Sequence, residues 1–366
     1  MRKLRPLPVL LCFSLLLCAA VIPACNTGPS ADAGKPFVAF ISNNEYDFWT
    51  IANHGTDAAA KEFDVRVEFK KPAGGGGPEV QRRLIEDLIA KGVKAIAISP
   101  NNSKDQTPFF KEINEKLPLL AVDNDIPDVT ARRCYIGTDN VAAGRATGKV
   151  LKQILPNGGK FMIFVGKLDA QNAVERRKGV VIELAGGEEK CQAELEQMNR
   201  EQYPVKFGKY ELIDTRTDQE SPQVCRQKVD DALVKYPDLN CMIGLWAYNP
   251  PAMLEGVKAA KDKRGKVLLI GFDENDETLQ GIRDGDIAAT VVQDPYKFGY
   301  EAVKVMAALV RGDPKALDQP GMNAQKQMYV KHRIINKEGK KAPAYADELV
   351  EAVDPFQAKL KTLTEK

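Results

Sequence analysis

Two hydrophobic rhythms alternate along this chain: short continuous apolar runs, and longer stretches whose apolar positions recur every three to four residues. The runs Phe37–Ser42, Val65–Lys70, Val93–Ser99 and Leu119–Val122 read as buried strands. Between them the spacing predicts helices around 50–63, 79–91 and 105–116, the first entered through a loop carrying Phe48 and Trp49. In the second, Val80, Leu84, Ile85, Leu88 and Ile89 share one face, and Gly92 ends it. The pattern restarts after Thr138. Strands are expected at Lys160–Val165, Tyr210–Asp214, Cys241–Leu245, Val267–Gly271 and Ala288–Gln293. Helices are expected near 140–154, 172–185, 221–235, 250–261 and 275–284, with Ser221-Pro222 as the cap and first turn of the third. Two stretches fall outside the alternation. Residues 186–209 are polar and rich in Glu and Gln, as expected for an extended helix–loop insertion, and the polar tail from about 336 is expected to wrap the surface. Strand–helix alternation specifies parallel sheets covered by helices, an α/β fold. Two successive blocks over roughly 330 residues predict two doubly wound lobes rather than one core. Such sheets bind ligands at the carboxyl ends of their strands, so a site is expected just after each strand.

The first residues follow a different rule. Arg2, Lys3 and Arg5 precede an apolar run from Leu7 to Ile22, and Ile22-Pro23-Ala24-Cys25 closes it. This is the form of a cleaved leader, too short and wrongly flanked for a stable spanning helix. A small residue directly before Cys25 resembles the bacterial lipobox, in which the cysteine is acylated and becomes the new N-terminus. Residues 1–24 are thus expected to be a signal peptide and 25–36 a tether on a lipid anchor, placing the protein outside the cytoplasm on a membrane surface. No other segment reaches 18 uninterrupted apolar residues.

Losing residues 1–24 removes three basic side chains and no acidic one, so 52 Lys and Arg against 50 Asp and Glu become 49 against 50, a net charge of −1. With no basic cluster and interleaved aromatics, nothing points to nucleic acid. Cys134, Cys191, Cys225 and Cys241 remain beside Cys25. In an oxidising compartment they can pair in three ways, of which Cys191 with Cys225 is favoured. None has CxxC spacing, so neither a metal nor a redox site is expected, and no cofactor motif is present.

The residues after the expected strands are distinctive in type. They include Asn43 to Trp49, Asp123-Asn124-Asp125, Thr138-Asp139-Asn140, Arg176, Asp218-Gln219, Trp246, Tyr248-Asn249, Phe272-Asp273 and Gln293. Each is also an ordinary turn or cap residue; their recurrence is what points to a site. Carboxylates, planar amides and a guanidinium match hydroxyls that both donate and accept. Trp and Phe offer an apolar surface for the C–H face of a sugar ring.

Enzymatic readings find little. Only His54 and His332 exist, there is no Gly-x-Ser-x-Gly elbow, and the carboxylates Asp123 and Asp273 are flanked by amide and Arg neighbours suited to binding. Gly144-Arg-Ala-Thr-Gly148-Lys149-Val150 has three residues between its glycines and no Ser or Thr after Lys, so it is no phosphate loop, and Gly74–Gly77 followed by Pro78-Glu79 reads as a flexible loop.

With these residues in view, the chain over about 36–335 resembles the type I periplasmic sugar-binding proteins, the ribose- and galactose-binding group of ABC-importer substrate-binding proteins. The resemblance is carried by Phe48-Trp49, Val122-Asp123-Asn124, Gly137-Thr-Asp-Asn-Val141, Glu175-Arg176, Ile270-Gly-Phe-Asp273, and Gly285-Asp-Ile-Ala-Ala-Thr290 followed by Gln293. It implies two Rossmann-like lobes joined by a three-segment hinge. The lobes are expected at 37–138 with 294–326 and at 139–293 with 327–335, with crossings near 139, 293 and 326 and a tail at 336–366. It implies a monosaccharide ligand, hinge closure and delivery to a membrane permease, with the chain acting as a monomer. By the same resemblance Phe48 and Trp49 would flank the ring. Asp47, Asp123 and Asn124 would bind from the first lobe, Arg176 would donate, and Asn249, Asp273 and Gln293 would bind hydroxyls from the second lobe and hinge; Asp139 would brace the hinge. Departures from the pattern are Tyr46 for a frequent Asn, Asp218 or Gln219 where a stacking aromatic is common, and Tyr248-Asn249-Pro250-Pro251 for the usual Asn-Asp approach to a helix. They leave open which sugar, or a sugar-like signal or nucleoside, is bound. A sensor that presents its ligand to a chemoreceptor or membrane kinase is the alternative role.

Overall fold

A computed structural model describes residues 34–73, 76–263 and 265–364. The expected leader, Cys25 and the tether up to Ala33 lie outside the described residues. The first block gives β1 (Phe37–Ile41), α1 (Asp47–Glu62), β2 (Arg66–Lys70), α2 (Pro78–Ala90), β3 (Ala95–Ile98), α3 (Ser103–Lys116), β4 (Leu119–Val122) and β5 (Cys134–Gly137). The second gives α4 (Asn140–Ile154), β6 (Gly159–Val165), α5 (Gln171–Ala185), α6 (Gln192–Asn199), β7 (Val205–Phe207), β8 (Tyr210–Thr217), α7 (Pro222–Lys235), β9 (Cys241–Gly244), α8 (Asn249–Ala259), β10 (Leu268–Phe272), α9 (Asp276–Asp284) and β11 (Ala289–Val292). Then follow α10 (Pro295–Val310), β12 (Gln327–Tyr329), β13 (Arg333–Asn336), β14 (Val350–Ala352) and α11 (Val353–Thr364).

The strands form two sheets. The first has the order β12-β5-β4-β3-β1-β2, and all its pairings are parallel. The second has the order β14-β13-β11-β10-β9-β6-β8-β7; it is parallel except where β13 joins β11 and β7 joins β8. Each sheet is buried on both faces, which is why its strands read as unbroken apolar runs. On β6, Phe161, Ile163 and Val165 enter one core with α4 and α5, while Met162 and Phe164 enter another with α7 and α8. On β1, Val38 and Phe40 pack with α1 and α10, and Phe37, Ala39 and Ile41 with α2 and α3. The result is an α/β fold of two doubly wound lobes.

Several expectations are corrected. Helix α1 begins at Asp47, so Phe48 and Trp49 sit in its first turn rather than in a loop; Trp49 is 2% exposed and packs on Phe40 at 5.9 Å. The insertion at 186–209 holds α6 and ends in β7, an antiparallel edge strand. The chain passes between sheets three times, after β5, after β11 and after β12. The third passage lies at 330–332, not near 326, because Gln327–Tyr329 pairs in parallel with β5 and the Val330 N–H continues the ladder to the Gly137 carbonyl at 2.8 Å. The tail is structural: β14 extends the second sheet, and Phe356, Leu360 and Leu363 of α11 line a small cavity with Ile51 of α1. The four cysteines are free and buried. The pairing of Cys191 with Cys225 is ruled out by layering, since Cys191 packs with Phe161 and Ile163 and Cys225 with Met162 and Phe164, on opposite faces of β6.

Candidate functional site

One pocket lies between the lobes at the carboxyl ends of both sheets. About 530 Å³ of space, partly open to solvent, is lined by Asn43, Asn44, Tyr46, Phe48, Trp49 and Asp123 from the first lobe, by Asn172, Arg176, Glu220, Trp246, Ala247, Tyr248 and Asp273 from the second, and by Gln293 at a crossing.

Asp123 follows β4 and Asp273 follows β10, both in the left-handed region with φ of 63°. Asp tolerates that conformation better than most residues. Each backbone N–H donates sideways to the next strand, Asp123 to the Ile136 carbonyl at 3.1 Å and Asp273 to the Val291 carbonyl at 2.8 Å. The turn thereby holds each carboxylate at the end of its sheet. The Ser99 hydroxyl donates to Asp123 Oδ2 at 3.3 Å, and Gln293 Nε2 donates to Asp273 Oδ1 at 2.8 Å. Burial pushes the Asp123 carboxyl up to about 7, against the opposing pull of Arg176 and with a further push from Asp273. Burial also raises Asp273, with Arg176 and Gln293 opposing.

Arg176 is 1% exposed. Its Nε donates to Asn140 Oδ1 at 2.9 Å and its Nη1 to the Leu245 carbonyl at 2.8 Å, while Nη1 stands 4.0 Å from Asp273 Oδ2. The guanidinium lies 3.9 Å above the Phe272 ring. Close approach of α4 and α5 makes this possible: a Cβ on Gly144 would sit 2.1 Å from the Arg176 carbonyl oxygen, and one on Gly179 would sit 2.2 Å from that of Val141. The glycine run of 144–148 is therefore a helix–helix contact. Arg176 Nη2, Gln293 Oε1, Asn172 Oδ1 and Trp246 Nε1 are buried and have no hydrogen-bond partner among the described residues. Donors and acceptors of unused capacity thus border one pocket, where a polar ligand would satisfy them.

Of the nine residues expected to bind ligand, Phe48, Trp49, Asp123, Arg176, Asp273 and Gln293 line the pocket, and three do not. Asp47 is exposed in the first turn of α1, where a carboxylate favours the helix dipole. Asn124 is buried and accepts from the Asn172 N–H across the lobes at 3.3 Å. Asn249 is fully buried and braces the second lobe: its Oδ1 accepts from the Trp246 N–H at 3.0 Å and its Nδ2 donates to Asp218 Oδ2 at 2.9 Å. Asp139 caps α4 at the first crossing, accepting from the Ala142 N–H at 2.9 Å. Asn172 and Glu220 were not distinguishable in the sequence; each lies among helix-start and loop residues with no pattern of its own. Glu220 pairs with Lys167 at 3.0 Å, and its carbonyl accepts from the Tyr46 hydroxyl at 3.0 Å, so the lobes also meet at the pocket mouth.

The decisive comparison is at the level of the domain: residues 37–314 match the periplasmic binding protein domain. The chain belongs to that family. Among curated periplasmic binding relatives, a ribose import binding protein of Haemophilus influenzae is 22% identical over 81% of this chain and 93% of its own. The D-allose-binding periplasmic protein of Escherichia coli is 23% identical over 76% and 85%. Among solved structures, a glucose-galactose binding protein from Geobacillus stearothermophilus superposes with a TM-score of 0.70 at 25% identity, covering 84% of this chain and 99% of that one. An ABC transporter solute-binding protein from Burkholderia graminis, in complex with D-arabinose, gives 0.71 at 25% identity, covering 83% and 96%. The periplasmic-binding match ends at residue 314, before β12. No helix among the described residues is long and apolar enough to cross a membrane.

Proposed function

We propose that the chain captures a monosaccharide, a pentose or a hexose, between its lobes and delivers it in the closed form to the permease of an ABC-type importer. One observation carries this. Aromatic rings, two buried carboxylates, a guanidinium and an amide converge on one pocket from both lobes, with hydrogen-bonding capacity left over. Asp123, Asp273 and Gln293 Oε1 accept from ring hydroxyls, Arg176 Nη2 donates, and Phe48 with its neighbours covers an apolar C–H face. The relatives named for ribose, D-allose and arabinose support a polyhydroxylated ligand. Binding rather than catalysis fits groups that are fixed to one another rather than aimed at a reacting bond. Cleavage of residues 1–24 and acylation of Cys25 would hold the protein, as a monomer, at the membrane that carries the permease.

Thermal unfolding against pentoses, hexoses, sugar alcohols and nucleosides tests the ligand class. A sugar at about 100 times its dissociation constant adds roughly 2.7 kcal/mol of stability, which reads as a raised midpoint. Asp273→Ala should lose that shift while remaining folded. If no member shifts the midpoint, even after bound ligand is stripped by refolding, monosaccharide capture is wrong.

A further inference from the structure

Among the pocket's indole and phenol groups, one is left unengaged. Trp49 Nε1 donates to Asn43 Oδ1 at 2.9 Å, the Tyr248 hydroxyl donates to Asp218, and the Tyr46 hydroxyl donates to the Glu220 carbonyl. Trp246 lines the same pocket, but its Nε1 is buried and has no partner among the described residues. An indole N–H is a donor only, so burying it against nothing is unfavourable.

Everything around this ring fixes it. The Trp246 N–H donates to Asn249 Oδ1 and the Trp246 carbonyl accepts from the Asn249 N–H, both at 3.0 Å. The carbonyl just before it, that of Leu245, accepts from Arg176. Tyr248 meets the indole edge-on with ring centres 6.3 Å apart. The ring also lies on Gly166, just past β6, where a Cβ would sit 1.9 Å from Trp246 Cζ3. A glycine at the end of a strand is what lets a large ring lie flat over it. The position after β8 that could have carried a ring holds Asp218 and Gln219 instead, and Asp218 is spent on Tyr248 and Asn249.

We propose that Trp246 is the second lobe's sugar-orienting ring and that its indole N–H is a specificity-determining donor to one oxygen of the ligand. This rests on the sugar-binding function proposed above. Asn249 then acts as a positioning residue, through the Trp246 main chain.

The test is calorimetry on the full chain with Trp246→Phe and Gly166→Ala, using the panel sugar that binds the wild type and its set of single-deoxy analogues. Trp246→Phe keeps a six-membered aromatic ring and removes the N–H together with part of the ring area. It should weaken the parent sugar about five- to fifty-fold, and weaken one deoxy analogue, the one lacking the accepting oxygen, several-fold less than all the others. Gly166→Ala, which displaces the ring, should weaken every analogue. Equal losses across all analogues in Trp246→Phe would mean that the indole only packs, and unchanged affinity throughout would remove it from the site; either result overturns the assignment while leaving sugar binding intact. A wild type that binds no sugar of the panel overturns both.

Discussion

Asp123 and Asp273 occupy matching places in the two lobes, one residue past a central parallel strand, and share both a left-handed backbone and a sideways hydrogen bond. Their chemistry follows from burial. The Asp123 carboxyl is raised from 3.8 to about 7, chiefly by burial. Between those values the unfolded chain has lost the proton while the folded one keeps it, so folding stability from this group falls as pH rises through the window and is lowest above 7. Asp123→Asn removes the effect. In ligand-free protein it should raise stability at pH 8 by on the order of 1–4 kcal/mol, with the gain closing towards pH 4. Melting curves across that range check this; a gain independent of pH, or a loss at pH 8, would contradict it. The same variant should bind sugar more weakly, since an accepting carboxylate is gone. Both aspartates were legible in the sequence, because a polar residue directly after an apolar run has few places to go but the sheet's end. Asn124 and Asn249 were equally visible there, yet they serve as braces. Residue type after a strand announces position, while the neighbour that takes the hydrogen bond decides the role.

At the scale of elements, the pocket depends on how closely helices approach. Arg176 reaches the site because α4 and α5 touch through Gly144 and Gly179. Gly179→Ala would place a methyl group 2.2 Å from the Val141 carbonyl oxygen. The helices must part, at a cost of about 1–3 kcal/mol. Sugar affinity should fall at least tenfold because the guanidinium moves with α5; calorimetry and denaturant melts on one preparation measure both. Most of the long elements were legible from their periodicity, although α10 and α11 were not among the helices expected; the strands missed, β5 and β13 among them, are short. β12, β14 and β7 have three residues each, too few to show a period. β7 nonetheless left a trace in Phe207-Gly208-Lys209-Tyr210, a two-residue turn with Gly208 at φ 59°. Helix α1 begins early because its first turn carries two aromatics that read as loop residues until Trp49 is seen in the core.

For the whole molecule, the segment beyond the family match alters the mechanics. Helix α11 is carried by the second sheet through β14, yet borders Ile51 of α1, the helix whose first turn lines the pocket. It therefore joins the lobes at a place other than the three crossings. The lobes touch beside the pocket in this same arrangement, so the expectation is that α11 favours the closed form. Deleting residues 357–366, which leaves Val353 and Phe356 in the second lobe's core, should leave the pocket residues in place, weaken apparent affinity by the lost fraction of closed molecules, and speed ligand release, as stopped-flow fluorescence would show. Polar tail residues gave no hint of this; the apolar residues of α11 that pack inward are Val353, Phe356, Leu360 and Leu363, spread among charged neighbours.

The four buried thiols supply a built-in set of clocks. Burial pushes Cys134 and Cys225 up to about 12, so neither is a thiolate at neutral pH, and a thiol reagent can modify them only when the surrounding layer opens. Cys134 lies in the first lobe, Cys225 on one face of the second sheet, and Cys191 and Cys241 on the other. Labelling kinetics, resolved cysteine by cysteine by mass spectrometry, therefore time the opening of each lobe separately. Saturating sugar should slow both lobes together, because its contacts come from each; slowing of only one would mean that ligand engages that lobe alone.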